Sequence, residues 1–144
     1  MSRADFYILT GSASPVRLAC SIANKAWQQG NRVHISAANR EEAVKLDDLL
    51  WTFHDISFLP HALVDGAGAE QAFITIGWPD SLLPDRDVLI NLTTEVPDFS
   101  GKFARIIEIV APEEKQQARE RYRQYRDRGF ELHSHDINAE TGNA

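Results

Sequence analysis

The residues best suited to bind an anion lie in one run, positions 115–128, which also holds two tyrosines. Six of its fourteen residues are basic and two are acidic, so its net charge is +4 in a chain whose overall charge is −6. At helical spacing, Arg119, Tyr122 and Arg126 share one face with Lys115 a turn earlier, whereas Ala118 and Tyr125 face the core. This pattern predicts a docking surface for an acidic partner, with a solvated surface helix as the alternative.

A second group with binding potential is apolar. Residues 49–61 concentrate large hydrophobic side chains around a segment without helical or strand periodicity. These residues are Trp51, Phe53, Ile56, Phe58 and Leu59. Some of them are needed for the core of so small a domain, but exposed aromatic residues also form the centre of protein–protein interfaces. The pattern alone leaves core and interface open.

Catalytic and cofactor motifs are weak in comparison. The turn Gly11–Ser14 follows the first predicted strand, where related folds bind phosphate, but it lacks G-x-G-x-x-G and the Lys-Ser/Thr of a P-loop. The histidines have no supporting carboxylate spacing, and Cys20 lies mid-helix among apolar residues as an inert core thiol. We therefore expect no metal, no cofactor and no catalytic residues.

The elements that position these groups alternate between strands and helices. Such alternation predicts an α/β fold with a largely parallel sheet. Ser14 caps a first helix that stops at Gly30, and Asn39 caps a second with Glu42 at its third position. Pro112 opens the basic helix and Gly129 ends it. Strands are predicted at 6–9, 33–35, 73–76, 88–92, 106–110 and 130–132, with 51–71 mostly irregular.

Length and composition narrow the class of protein. The 144 residues predict a single domain over residues 1–134, followed by a disordered tail over residues 135–144. A pI near 5.3 argues against general nucleic-acid binding. No apolar run approaches the ~20 residues of a membrane span, so no membrane partner is expected. A single cysteine fits a reducing cytoplasm.

Four blocks of the sequence, in order, resemble one known family. The blocks are Asp5–Leu9, Leu49–Trp51, Ser57–His61, and Ala118–Arg126 with Gly129 and Phe130. Together they resemble the chi subunit of bacterial DNA polymerase III, from about Asp5 to about Leu132. The resemblance implies a Rossmann-like three-layer sandwich without a nucleotide-binding loop. It also implies a non-catalytic accessory subunit of the clamp-loader complex that meets DNA only indirectly.

The resemblance further implies two binding surfaces. Trp51 and Phe58 match the residues that face the psi subunit, and Phe53 and Leu59 are assigned to the same interface. The other surface takes the C-terminal tail of the single-stranded DNA-binding protein, an acidic peptide that ends in an apolar residue with a free carboxylate. The residues assigned to it are Arg119 and Tyr122 as the matched pair, Lys115, Arg123 and Arg126 as steering cations, and Ala111 in the apolar pocket.

Two other functions stay open at this stage. One is a small nucleotide-dependent enzyme that uses the turn Gly11–Ser14, which saturable binding of ATP or NAD would favour. The other is direct binding of single-stranded nucleic acid, with Tyr122 and Tyr125 as stacking platforms on the arginine helix. A buried Tyr125 would weaken the second alternative.

Overall fold

The computed structural model describes residues 2–11, 13–52, 61–69, 71–79, 86–96 and 103–137, which form seven strands and three α-helices. The strands within these ranges are β1 Arg3–Leu9, β2 Val33–Ser36, β3 His61–Leu63, β4 Ile74–Gly77, β5 Val88–Asn91, β6 Arg105–Val110 and β7 Glu131–Ile137. The helices are α1 Pro15–Gln28, α2 Arg40–Thr52 and α3 Lys115–Asp127, with a short 3-10 turn at Pro112–Glu114. The predicted α/β fold class is confirmed.

The seven strands form one sheet in the order β3-β4-β2-β5-β6-β1-β7, and every neighbouring pair is parallel. The first strand lies between the last two, so that Phe6 stands opposite Glu108 on one side and Ser134 on the other. Parallel neighbours require crossover connections. Helix α1 connects β1 to β2, α2 connects β2 to β3, and α3 connects β6 to β7. The largely parallel sheet that the sequence predicts is thus fully parallel.

Side chains alternate between two hydrophobic cores, one on each face of the sheet. Ile107 and Ile109 of β6 join the core under α1 and α2, whereas Ile106 and Val110 join the core under α3. Successive strand residues point to opposite faces, and both faces here are covered by helices, so β6 is buried on both sides. The result is a three-layer sandwich with α1 and α2 on one face and α3 on the other.

The helix boundaries follow from the predicted capping residues. The Ser14 hydroxyl accepts a hydrogen bond from the Arg17 amide at 3.3 Å, and the Asn39 side chain accepts one from the Glu42 amide at 2.9 Å. The basic helix begins three residues later than predicted, because Pro112–Glu114 form the 3-10 turn. Gly129 has a φ of 84°, a left-handed conformation that ends α3 at little steric cost. None of the described helices is long and apolar enough to cross a membrane.

The observed strands differ from the prediction in two places. The stretch 51–71, predicted to be mostly irregular, contains β3, a three-residue edge strand on β4. The last strand is not the short 130–132 segment but runs over Glu131–Ile137 and pairs with the whole of β1. The predicted start of the tail at His135 therefore falls inside β7. Both are edge strands; β3 is only three residues long, and in β7 polar residues that face solvent hide the strand pattern.

Candidate functional site

A surface cavity of about 430 Å³ opens between α3 and the β1–β6–β7 side of the sheet. Its lining residues are Lys115, Ala118, Arg119, Tyr122, Arg123 and Arg126 from α3, Phe6 and Ile8 from β1, Val110 from β6, and Ser134 and Asp136 from β7. One helix thus supplies a basic wall, the sheet supplies an apolar floor, and the edge strand supplies a polar wall.

The structure brings together five of the six residues that the sequence assigns to the tail-binding surface. Lys115, Arg119, Tyr122, Arg123 and Arg126 all line the cavity. Steps of three, four and seven residues repeat along one side of an α-helix, which places these side chains next to one another. The predicted shared face of α3 is confirmed as geometry, and its binding role stays a prediction.

The four cations of the cavity differ in what they already contact. Arg123 pairs with Glu120 at 3.1 Å and Arg126 pairs with Asp127 at 3.2 Å, both on the exposed surface of α3. The side chains of Lys115 and Arg119 are exposed and have no ion pair or hydrogen bond with any residue in the described ranges. An anion can therefore bind to these two side chains without first breaking an existing ion pair.

Tyr122 forms an aromatic wall above the apolar floor. Its side chain is 37% exposed, and its ring centroid lies 5.5 Å from that of Phe6 with an angle of 56° between the planes. Tilted aromatic pairs at this distance are favourable, so the contact fixes the Tyr122 ring against the sheet. The floor continues through Ile8, Val110 and Ala118. The cavity can thus receive an apolar side chain beside a carboxylate.

A buried polar network holds α3 against the sheet beneath this cavity. The Glu108 carboxylate accepts hydrogen bonds from Arg121 Nε at 2.9 Å, Asn91 Nδ2 at 2.8 Å and the Tyr125 hydroxyl at 2.6 Å. Arg121 also donates to the Thr94 carbonyl at 3.0 Å. Burial raises the pKa of Glu108, and the charge of Arg121 opposes that shift. Burial next to the Glu108 charge raises the pKa of Tyr125 as well.

Sequence reasoning placed Tyr125 in the core but missed Arg121. Tyr125 and Ala118 are buried, as the helical spacing predicts. Arg121 is only 1% exposed, although it belongs to the same basic run as the cavity cations. Helical spacing offers one signal, since Arg121 lies three residues after Ala118 and four before Tyr125. Arginine is rarely buried, but here its partner is the buried acid Glu108.

Ala111 does not line this cavity. It follows β6, and the strand alternation places it with Ile109 on the side of α1 and α2, where it borders a second cavity of about 660 Å³. The residue of β6 that reaches the candidate site is Val110. The predicted placement of Ala111 in the apolar pocket is therefore corrected by one residue. A small side chain at position 111 has no direct effect on the depth of that pocket.

Trp51 lies at the end of α2, on the other face of the sheet. Its side chain is 57% exposed, and its ring centroid lies 4.3 Å from that of His61 in β3. The His61 Nε2 atom faces Asp47 Oδ1 at 3.5 Å. The sequence left open whether Trp51 lies in the core or on the surface, and the structure places it on the surface. Phe53, Phe58 and Leu59 lie outside the described residues.

The core position predicted for Cys20 is confirmed. The thiol is fully buried in α1, and burial raises its pKa to about 12. A thiol with so high a pKa is hardly ever ionised near neutral pH and is therefore a poor nucleophile. Within the described ranges, no three metal-binding side chains converge.

These observations define a three-layer, fully parallel α/β protein with a basic cavity under its last helix and an exposed tryptophan on the opposite face. Residues 1–133 match the family described as "DNA polymerase III chi subunit, HolC". The chain belongs to this family, whose members are accessory subunits of the replicative polymerase.

Three curated relatives are all named DNA polymerase III subunit chi. The chain is 37% identical to that of Pseudomonas aeruginosa over 141 residues, which cover 95% of the chain and 98% of the relative. Identity to that of Haemophilus influenzae is 38% over 139 residues, covering 93% and 96%. Identity to that of Escherichia coli is 36% over 143 residues, covering 93% and 97%. The relationship thus extends over almost the whole of each chain.

Proposed function

We propose that this chain is a non-catalytic adaptor that holds two partners at once. The cavity under α3 takes the C-terminal tail of single-stranded DNA-binding protein, and the surface around Trp51 takes the psi subunit of the clamp loader. The observation that carries the proposal is the convergence of two uncommitted cations, Lys115 and Arg119, with an apolar floor in one cavity. That combination matches a peptide end with a free carboxylate and an apolar side chain.

Recognition of the tail divides between charge and burial. The Arg119 guanidinium presents a planar pair of donors, which suits the terminal carboxylate. Phe6, Val110 and the Tyr122 ring surround the last apolar side chain. The exposed ion pairs of Arg123 and Arg126 are weak, so these cations can turn toward the preceding acidic residues at little cost.

The size of the cavity limits what enters it. A volume of about 430 Å³ lies in the lower half of the roughly 300–1,000 Å³ range of small-ligand sites. This space accommodates the final one or two residues of a tail and not a longer folded element. The remaining acidic residues of the tail would lie along the exposed basic face of α3.

Trp51 is the described residue that supports the psi surface. An exposed tryptophan at a helix end is the type of residue that contributes most to protein–protein binding. Its contact with His61 holds the ring in place before a partner arrives, which lowers the entropy cost of docking. Phe53, Phe58 and Leu59 are proposed to extend this surface on the resemblance alone.

The positions of the two surfaces favour simultaneous occupancy. Trp51 lies on α2, which packs over β3 and β4, whereas the tail cavity lies over β1 and β7 at the other end of the strand order. Five strand spacings of about 4.8 Å separate these pairs, which amounts to about 24 Å across the sheet. The surfaces also lie on opposite faces. A partner on one surface therefore need not contact a partner on the other.

Direct stacking of nucleic-acid bases is disfavoured by one contact. Of the two tyrosines that would form stacking platforms, Tyr125 is fully buried and its hydroxyl donates to Glu108. A single exposed tyrosine, Tyr122, does not make the row of aromatic platforms that single-strand binders use.

Calorimetric titration with a synthetic tail peptide tests the proposal. Arg119→Ala should weaken binding by about 1.5–3 kcal/mol, the range for hydrogen bonds to charged groups. Lys25→Ala is the matched control, because Lys25 is an exposed cation on α1 at the other face of the sheet. An Arg119→Ala variant that folds and binds the peptide as tightly as the wild-type chain would refute the assignment.

A further inference from the structure

We propose that Asp136 is a specificity-determining residue of the tail cavity, one that penalises a carboxylate on the β7 wall and confines acidic groups to the α3 wall. Among the described residues that line the cavity, Asp136 is the one acidic residue, and four others are basic. Its side chain is exposed and makes no ion pair or hydrogen bond with any residue of the described part of the chain. The inference rests on the proposed tail binding.

The register of the sheet indicates which turn of α3 lies level with Asp136. In the β1–β7 pairing, Phe6 stands opposite Ser134 and Ile8 stands opposite Asp136. The Tyr122 ring packs on Phe6. A crossover helix runs antiparallel to its strands, so the turn of α3 before Tyr122 lies at the level of Ile8. That turn carries Arg119, and Asp136 is therefore level with it.

This placement gives the cavity two walls of opposite charge at the point where the tail ends. A terminal carboxylate held by Arg119 lies close to the negative charge of Asp136. Like charges a few ångströms apart in water-like surroundings alter a dissociation constant about two- to fivefold. Asp136 thus lowers the affinity for any carboxylate-ended peptide and most disfavours peptides that place a further acid against β7.

Titration of the full chain with two synthetic peptides tests the inference. Both peptides carry three aspartates followed by an apolar residue, and one ends in a free carboxylate whereas the other ends in an amide. Asp136→Asn should tighten binding of the free-carboxylate peptide about two- to fivefold and that of the amide less. Asp48→Asn, the same change on an exposed residue of α2, should leave both affinities unchanged.

The salt dependence of binding is a second measurement. It separates an electrostatic effect of the substitution, which depends on salt, from a structural effect, which does not. The gain from Asp136→Asn should shrink as salt rises, because exposed charges are screened over about 8 Å at physiological ionic strength and less above it. Unchanged or weaker binding by Asp136→Asn, or a gain that is equal for both peptides, overturns the inference while leaving the tail site in place. If neither the wild-type chain nor the variant binds either peptide, the proposed tail site fails and this inference fails with it.

Discussion

Removal of the Arg121 charge should destabilise the protein strongly, although Arg121 belongs to an otherwise exposed basic helix. Arg121→Met keeps the length of the side chain but leaves the fully buried Glu108 carboxylate without its cation. Breaking a buried pair on one side costs about 3–5 kcal/mol. Glu108 retains donors from Asn91 and Tyr125, so we expect a loss near 3 kcal/mol.

The corresponding change in melting temperature follows from the length of the chain. An unfolding entropy of about 2.1 cal/mol/K per residue over 144 residues gives ~0.3 kcal/mol/K, hence a decrease of about 10 °C. Thermal and urea melts followed by circular dichroism measure it. Arg123→Met is the control on the same helix, because its exposed pair with Glu120 should contribute less than about 1 kcal/mol.

The pH dependence separates a charge effect from a packing effect. Burial raises the folded-state pKa of Glu108, and loss of Arg121 raises it further. An acid with a raised folded pKa destabilises the fold above its unfolded pKa, about 4.3, and this penalty disappears as pH falls toward that value. The deficit of Arg121→Met should therefore be smaller at pH 5 than at pH 7.5. A deficit that is below ~1 kcal/mol or independent of pH would refute the electrostatic account.

Three further predictions concern other parts of the molecule. Trp51→Ala should lower the free energy of unfolding by less than about 1 kcal/mol, because an exposed side chain leaves no cavity. The same change should weaken psi binding by ~2 kcal/mol or more, and melts beside a psi pull-down would reveal any larger structural role. Arg119→Ala should spare psi and Trp51→Ala should spare the tail, with additive effects in the double variant. Displacement of the tail peptide by psi would contradict the bridge. Burial next to Arg86 lowers the pKa of His34 to about 4. As the pH falls, His34 therefore takes up a proton in the unfolded chain at a higher pH than in the folded protein. Stability should then fall by about 3 kcal/mol between pH 7 and pH 4 from this residue, and His34→Gln should flatten that part of a stability–pH profile.

The sequence predicted best those elements whose local signals agree with their final environment. Helix α1 has its cap at Ser14 and its apolar stripe from Leu18 to Ala26, so both boundary and face follow from short-range chemistry. The central strands β2 and β5 are buried on both sides. An apolar run marks β5, whereas β2 is marked by the β-branched residues Val33 and Ile35.

The misses share a dependence on distant residues. Strand β7 contains His133, Ser134, His135 and Asp136, a polar sequence that becomes a strand because it pairs with β1. The burial of Arg121 depends on Glu108, thirteen residues earlier. Ala111, which the resemblance assigned to the apolar pocket, follows Val110 directly, and successive strand residues point to opposite faces of the sheet. The basic face of α3 follows from the local sequence, whereas the β7 wall of the cavity depends on the pairing of strands that are distant in the chain.

The position of β1 has a consequence for how the protein is made. Arg3 pairs with Arg105 on one side and with Glu131 on the other, so the first strand finds its neighbours only after more than one hundred further residues. During translation, β1 leaves the ribosome long before either partner exists, and its apolar Phe6 and Leu9 stay exposed to other chains. Contacts this distant in sequence also slow folding. Premature termination before Glu131 would leave β1 as an open sheet edge, which is prone to aggregation.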